Sequence, residues 1–112
     1  GCGGDRDLGK RPQMGRVAQD LADHVVITSD NPRSEDPQSI IAMIQSGMSG
    51  DLMAIQALPD RAAAIMAAVR NADIKDVVLV AGKGHESTQE INGKKFDFSD
   101  QEHIRLAAGA SA

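Results

Sequence analysis

Aromatic residues are almost absent from this sequence, which has two phenylalanines and neither tryptophan nor tyrosine among its 112 residues. Small aliphatic residues and methionine must therefore fill the core, and that composition suits a parallel sheet covered by helices. An excess of positive charge is also lacking, because the formal net charge is −4. Since nucleic-acid binding needs a basic face and is helped by stacking aromatics, we expect no nucleic-acid partner.

Cysteine and long apolar runs are scarce too. The single cysteine, Cys2, excludes an internal disulfide and agrees with a reducing compartment, so we expect a cytoplasmic protein. No apolar run approaches the length that crosses a membrane, so we expect no membrane partner. The three histidines are scattered without metal-ligand spacing, which argues against a metal site. The length fits one domain, residues 1–112.

Along the chain, segments whose apolar residues recur at the helical period alternate with short runs of β-branched residues. Helices are expected in residues 10–24, 37–46, 59–72 and beyond 99, and strands in residues 24–28, 52–58 and 76–81. Asn92-Gly93 separates two short alternating segments, which predicts a β-hairpin with a two-residue turn. The chain is therefore expected to form an α/β fold, with a mostly parallel sheet and a late antiparallel hairpin.

Three of the predicted helices repeat apolar residues at the helical period, and in the third these are Ala62, Ile65, Met66 and Val69. The face of the first consists of Met14, Val17, Ala18 and Leu21. The face of the second consists of Ile40, Ile41 and Ile44. Asp36 is expected to cap the second helix, and Ser99 the last one.

Polar and charged residues concentrate in three loops at predicted strand ends. The loops are GCGGDRD at residues 1–7, SDNPR at residues 29–33 and AGKGHE at residues 81–86. Ligands of parallel sheets bind at the carboxyl ends of the strands, so we expect the three loops to share one site. This arrangement requires a strand before Gly1.

The last of these loops is not a phosphate-binding Walker loop. That motif needs a glycine where Val77 stands, and a serine or threonine directly after Lys83, where the chain has Gly84. The two glycines of AGKGHE bring the backbone close to a ligand, or they form a tight turn. Glu86 is a candidate carboxylate for binding a cationic amine.

The other two loops also allow two interpretations each. Pro32 stiffens SDNPR, so that Arg33 is either aimed at a planar carboxylate or is a solvated surface side chain. The charges of GCGGDRD, among them Arg6, either form an anion site or pair with one another.

In this order and spacing, GCGGDRD, DNPR and AGKGHE resemble the C-terminal domain of the Mur ligases, and within them the kind that adds meso-diaminopimelate. The resemblance implies a Rossmann-like, mostly parallel sheet with flanking helices and a late β-hairpin. It also implies that residues 1–112 are this domain without its first strand, and that a UDP-substrate domain and a central ATPase domain are absent. ATP and Mg²⁺ would bind mainly in those missing parts, so the fragment is expected to be inactive alone.

The resemblance further implies an amide-forming reaction on small molecules. ATP phosphorylates the terminal carboxylate of UDP-MurNAc-L-Ala-D-Glu, and an amine of meso-diaminopimelate attacks the acyl phosphate. By resemblance, the residues that bind diaminopimelate are Arg6, Asp30, Asn31, Pro32, Arg33, Gly82 and Glu86. The arginines and the asparagine suit the distal carboxylate, whereas the acids and the glycine carbonyl suit the distal ammonium. No catalytic residue or metal ligand is assigned within the chain.

Two alternatives remain open. A lysine-adding Mur ligase would leave the arginine of DNPR without a carboxylate, so the loop favours diaminopimelate. The other alternative is a stand-alone, non-enzymatic module that binds an amino acid or an anion. A Walker loop encoded upstream would exclude that module.

Overall fold

The computed structural model describes residues 1–50 and 55–109. The elements are α1 (Lys10–Leu21), β1 (Val25–Ile27), α2 (Pro37–Gln45), β2 (Ile55–Ala57), α3 (Arg61–Asn71), β3 (Thr88–Ile91), β4 (Lys94–Asp97) and α4 (Asp100–Gly109). Of the strand expected in residues 52–58, residues 55–57 form β2, and residues 52–54 lie outside the described residues. No helix in the described ranges has the length and apolar character that a membrane span requires.

The main core lies where α2 covers the parallel pair of β1 and β2. Val25 lies opposite Ile55, and Ile27 opposite Ala57. Parallel neighbours need a crossover connection, and α2 provides it. The buried core residues are Cys2, Ile27, Ile40, Ile41 and Ile44. The apolar face predicted for α2 is therefore confirmed.

Side chains cap three helices at their N-termini. Asp36 Oδ1 accepts a hydrogen bond from the backbone N–H two residues on, at 3.0 Å, at the start of α2. Ser99 Oγ accepts from the N–H three residues on, at 3.3 Å, at the start of α4. These two caps were predicted from the sequence and are confirmed. Asp60 caps α3 in the same way, although the sequence pattern places it inside the helix.

The predicted hairpin is also confirmed. β3 and β4 pair in antiparallel fashion, and the turn residues Asn92 and Gly93 have φ values of 51° and 79°. Positive φ at both turn positions is the geometry of the favoured two-residue hairpin turn. The Arg33 N–H donates to the Glu90 carbonyl at 3.0 Å, and the Asn92 N–H donates to the Arg33 carbonyl at 2.7 Å. The hairpin therefore lies against the loop that follows β1.

The strand expected in residues 76–81 is wrong, because that stretch belongs to no strand. Val77 and Leu79 are 93% and 86% exposed. A strand needs a neighbour that pairs with its backbone N–H and C=O groups. A continuous apolar run indicates a preference for burial but does not specify the partner, and no described strand pairs with this segment.

The apolar face predicted for α1 is wrong as a core face. Its exposed members are Met14, Val17 and Leu21. The helix packs on α2 with the face that carries Arg11 and Gly15, both buried. A Cβ atom at Gly15 would lie 2.1 Å from the Ile44 carbonyl oxygen, so the close approach of the two helices requires glycine. The helical period identifies a helix, but the position of a glycine decides which face packs here.

Candidate functional site

Three loops and β3 meet at the carboxyl end of β1. We call them the N-terminal loop (residues 1–9), the β1 loop (residues 28–36) and the glycine loop (residues 81–87). The Gly4 N–H donates to the Asn31 carbonyl at 2.7 Å, and Lys83 Nζ donates to Asn31 Oδ1 at 2.8 Å. Gln89 Nε2, on β3, donates to the Asp30 carbonyl at 2.8 Å. The three loops that the sequence analysis singled out therefore come together.

Asn31 is the centre of this arrangement. Its Oδ1 accepts from Lys83 Nζ at 2.8 Å and from the Glu90 N–H at 2.9 Å. Its Nδ2 donates to Glu86 Oε1 at 3.3 Å. Because both donors converge on the oxygen, the amide is held with its nitrogen toward Glu86.

Lys83 is the buried cation of the site, with a side chain that is 0% exposed. Its Nζ lies 3.2 Å from Asp30 Oδ1 and 3.4 Å from Glu86 Oε1, and it donates to the Thr88 carbonyl at 2.9 Å. Asp30 Oδ1 is buried without a hydrogen bond of good geometry, so the ion pair with Lys83 is its compensation. We call Asp30 and Glu86, with Lys83 between them, the acidic half of the site.

Lys83 has no role predicted from the sequence, because the Walker motif is incomplete. A signal was present, because the lysine stands between two glycines. Gly82 and Gly84 have φ values of 115° and 58°, which side-chain-bearing residues rarely adopt. These conformations mark a tightly turned loop. The turn also brings Gly82 against Asp30, whose Oδ2 would lie 4.0 Å from a Cβ atom at Gly82.

Arg33 adopts φ of 54°, an uncommon conformation for a residue other than glycine. Its backbone is held on both sides by the hairpin. Its Nη1 donates to the Gly4 carbonyl at 2.8 Å, and its Nε lies 3.5 Å from a carboxylate oxygen of Glu90. Strained backbone of this kind persists only where the surroundings fix it, and it is frequent at ligand sites.

Arg6 lies beside Arg33, although its side chain is exposed. A Cβ atom at Gly3 would lie 2.9 Å from Arg33 Nη1 and 3.3 Å from Arg6 Cγ, so both arginines flank the same glycine. Asp5, also with φ of 54°, fixes the backbone before Arg6 by donating its N–H to Glu35 Oε1 at 2.8 Å. We call Arg6 and Arg33 the basic half of the site.

An ion pair between buried Arg11 and partly exposed Glu35 supports the loops that carry the basic half. Arg11 donates from Nη1 and Nη2 to the two carboxylate oxygens of Glu35, each at 2.8 Å, and from Nη2 to the Gly3 carbonyl at 2.9 Å. The Arg11 hydrogen bonds, together with the Asp5 N–H, lower the pKa of Glu35 to about 2. The same pairing raises the pKa of Arg11. The two residues are 24 positions apart, so no local sequence pattern reveals the pair.

A second ion pair, with both partners buried, supports the ends of the β1 loop and the glycine loop. Arg61 Nε and Nη2 each lie 2.7 Å from a carboxylate oxygen of Asp100. The same guanidinium donates to the Ser29 carbonyl at 3.1 Å and to the Ala81 carbonyl at 3.2 Å. The starts of α3 and α4 are thereby tied to both loops.

The residues expected to form the site thus fall into distinct positions. Asp30, Asn31 and Glu86 surround Lys83, while Arg33 and Arg6 lie along the N-terminal loop. Pro32 is buried between them, and a Cβ atom at Gly4 would overlap its carbonyl oxygen. Within residues 1–50 and 55–109, no three His, Cys, Asp or Glu side chains cluster as metal ligands do.

Known proteins share this fold and much of this sequence. The family described as "Mur ligase, glutamate ligase domain" matches residues 1–84. The chain is 69% identical over 110 residues to UDP-N-acetylmuramoyl-L-alanyl-D-glutamate--2,6-diaminopimelate ligase of Ralstonia nicotianae, covering 98% of this chain and 21% of the relative. It is 54% identical over 107 residues to the protein of that name from a Janthinobacterium species, covering 96% of this chain and 21% of the relative.

A solved structure of UDP-N-acetylmuramoyl-L-alanyl-D-glutamate--2,6-diaminopimelate ligase superimposes with a TM-score of 0.92 at 46% identity, over 99% of this chain and 23% of that one. The fold is that of the C-terminal domain of a ligase, with a parallel sheet and flanking helices. The chain belongs to the Mur ligase family. It spans about a fifth of the length of the curated relatives it matches.

Proposed function

We propose that this chain is the amino-acid-binding part of an ATP-dependent ligase that adds meso-diaminopimelate to UDP-MurNAc-L-Ala-D-Glu during peptidoglycan precursor synthesis. The observation that carries the proposal is the pair of oppositely charged halves that meet at the carboxyl end of β1. The names of the relatives agree with this substrate.

The two halves match the charges at one end of a diamino diacid. A distal carboxylate fits the basic half, where Arg33 offers a planar two-donor fork and Asn31 Nδ2 adds a neutral donor. A distal ammonium fits Asp30, Glu86 and the carbonyl of Gly82. Asp30 and Glu86 share the single positive charge of Lys83, so the acidic half has an excess of one negative charge for an incoming ammonium.

The contribution of the chain to the reaction is positioning. With the distal end held, the amine at the other end of the amino acid is presented to the acyl phosphate that ATP generates on the UDP-linked substrate. Holding two reactants in the right geometry lowers the barrier of a bimolecular step by several kcal/mol. AGKGHES lacks the Walker pattern, so ATP and Mg²⁺ bind mainly in another part of the longer protein.

The domain organisation is part of the proposal. Residues 1–112 correspond to a C-terminal domain, preceded in a longer cytoplasmic protein by a UDP-substrate domain, a central ATPase domain and the first strand of this domain. The 21% coverage of the relatives supports this organisation. The exposure of Val77 and Leu79 supports the additional strand, because a strand between β1 and residues 76–81 would pair with both.

The test of the function is ligase activity of the longer protein with UDP-MurNAc-L-Ala-D-Glu, ATP, Mg²⁺ and either meso-diaminopimelate or lysine. ADP release should show a kcat/KM for diaminopimelate at least about tenfold above that for lysine, because lysine leaves the arginine fork unpaired. Equal values for the two amino acids would contradict the substrate assignment. The 112 residues alone should release no ADP with either amino acid, and detectable release from them would contradict the domain assignment.

A further inference from the structure

Lys83 has no hydrogen-bonding capacity left for a ligand. Its side chain is completely buried, and a lysine ammonium has three N–H donors. Four oxygens already surround the nitrogen: Asn31 Oδ1 at 2.8 Å, the Thr88 carbonyl at 2.9 Å, Asp30 Oδ1 at 3.2 Å and Glu86 Oε1 at 3.4 Å. Any role of Lys83 in binding must therefore act through these neighbours.

The neighbour most strongly constrained is Asn31. If its amide were turned over, the NH₂ group would face the Lys83 ammonium and the Glu90 N–H, and donors would oppose donors. The observed orientation is the one in which both donors meet an oxygen. Lys83 thus keeps Nδ2 as the donating end of the amide: it contacts Glu86 Oε1, and under the proposed function its second N–H is offered to the ligand carboxylate.

Lys83 also holds the two acids of the site, Asp30 and Glu86, in place. Asp30 and Glu86 come from different loops, and each carboxylate lies within 3.4 Å of the same nitrogen. Without a cation between them, the two negative charges would repel each other and the loops would separate. With the cation, both carboxylates stay at the positions from which they face an ammonium.

We propose that Lys83 is the positioning residue that fixes Asn31 and the two acids, and thereby sets the affinity of the site for the distal end of the amino acid. The inference rests on the proposed function. It assigns to Lys83 an effect on amino-acid binding that is transmitted through Asn31, Asp30 and Glu86 and not by contact with the substrate.

The test uses the longer ligase with two substitutions. Lys83→Met keeps a similar volume but removes the charge and all three N–H donors, whereas Lys83→Gln removes the charge but keeps an NH₂ group with two N–H donors. Lys94→Met serves as the matched control, because Lys94 is an exposed lysine on β4. In Lys83→Met the KM for meso-diaminopimelate should rise at least about tenfold, with a smaller rise in Lys83→Gln and none in the control.

The split between kinetic constants separates positioning from general damage to the fold. The KM values for ATP and for the UDP-linked substrate should stay unchanged, and kcat at saturating amino acid should change less than about threefold. A loss of kcat with an unchanged KM for diaminopimelate would overturn the proposal.

A double-mutant cycle tests the route through Asn31. In an Asn31→Ala background, Lys83→Gln should raise the KM much less than it does in the wild type, because the group it orients is gone. Equal fold-changes in both backgrounds would overturn the proposal. If Lys83→Met does not fold, Lys83→Gln decides the matter: a folded Gln variant with the wild-type KM refutes the inference.

The proposed function and the inference fail in different ways. If the wild-type ligase does not use meso-diaminopimelate, the proposed function is refuted, and the inference loses its basis. If the wild-type ligase uses diaminopimelate and both Lys83 variants have the wild-type KM for it, the inference alone is refuted.

Discussion

The two halves of the site are built in opposite ways. In the acidic half, the organising residue is Lys83, which is fully buried, and the acids around it are partly exposed. In the basic half, Arg6 is exposed, and Arg33, whose side chain is partly exposed, is held by strained backbone and by contacts with Gly4 and Glu90. One half is fixed by a buried charge and the other by backbone geometry.

Under the proposed function, the opposite charges of the halves predict different roles in selectivity. Both meso-diaminopimelate and lysine have a distal ammonium, so we expect the acidic half to treat the two amino acids alike. Only diaminopimelate has a distal carboxylate, so we expect the basic half to separate them. Substitutions in each half should therefore have distinct kinetic signatures in the longer ligase.

The largest effect is expected at Arg33. Arg33→Ala removes the fork, and the KM for meso-diaminopimelate should rise at least about tenfold, since a hydrogen bond to a charged group contributes roughly 1.5–3 kcal/mol. Arg33→Lys keeps the charge but loses the two-donor geometry, and its KM should lie between those of the wild type and Arg33→Ala. The KM for lysine should barely change, so discrimination between the two amino acids narrows.

Arg16→Ala is a matched control for this substitution. Arg16 is exposed on α1 and makes a long i,i+4 contact with Asp20 at 3.9 Å, so its loss should leave all kinetic constants unchanged. An unchanged KM for diaminopimelate in Arg33→Ala, or an equal loss for lysine, would show that Arg33 is only a surface arginine on a stiff loop.

Substitution of Glu86 is expected to raise KM less, and to raise it equally for the two amino acids. Glu86→Gln removes a negative charge but keeps an oxygen that accepts from Asn31 Nδ2. Because the side chain is half exposed, solvent screening limits the loss, and the KM should rise about three- to tenfold. The rise should be the same for meso-diaminopimelate and for lysine. A rise confined to diaminopimelate would mean that Glu86 does not face the ammonium, and the division into two halves would be wrong.

Local signals in the sequence predicted a large part of the fold. The Asn92-Gly93 turn, the caps at Asp36 and Ser99 and the apolar face of α2 each depend on residues within one turn of chain. The turn and the caps formed as expected because neighbouring residues supply the required interactions, and the face of α2 was recognisable because its three isoleucines lie within a single turn. The convergence of the three loops was also expected, since the carboxyl ends of parallel strands meet at one edge.

The features that the sequence did not reveal depend on distant partners. Arg11 and Glu35 pair across 24 positions, and Lys83 reaches Asn31 across 52. The face of α1 that packs is decided by the fit of Gly15 against α2, and the run at residues 76–81 has no pairing strand among the described residues. Residue types and their spacing predict whether a segment is a helix or a strand and how apolar it is. Which other element it packs against or pairs with depends on the whole fold.

The smallest effect, on the pH dependence of thermal stability, is expected from the ion pair of Arg11 and Glu35. The pKa of Glu35 is lowered to about 2, chiefly by its hydrogen bonds from Arg11, against an ordinary value of 4.5. A carboxyl group with a lowered pKa stabilises the folded state above its unfolded pKa, and that contribution is lost as pH falls through the folded pKa. The melting temperature of the purified chain should therefore fall between about pH 4.5 and pH 2, and part of this fall should be due to Glu35.

Glu35→Gln isolates this contribution, because glutamine keeps an oxygen for Arg11 but does not titrate. At pH 7 the variant should melt below the wild type, and the difference should shrink as pH falls from about 4.5 toward 2. Melting curves that stay equally far apart from pH 7 to pH 2.5 would contradict the assignment, and would mean that the Arg11–Glu35 pair fixes the N-terminal loop without contributing to the pH dependence of stability.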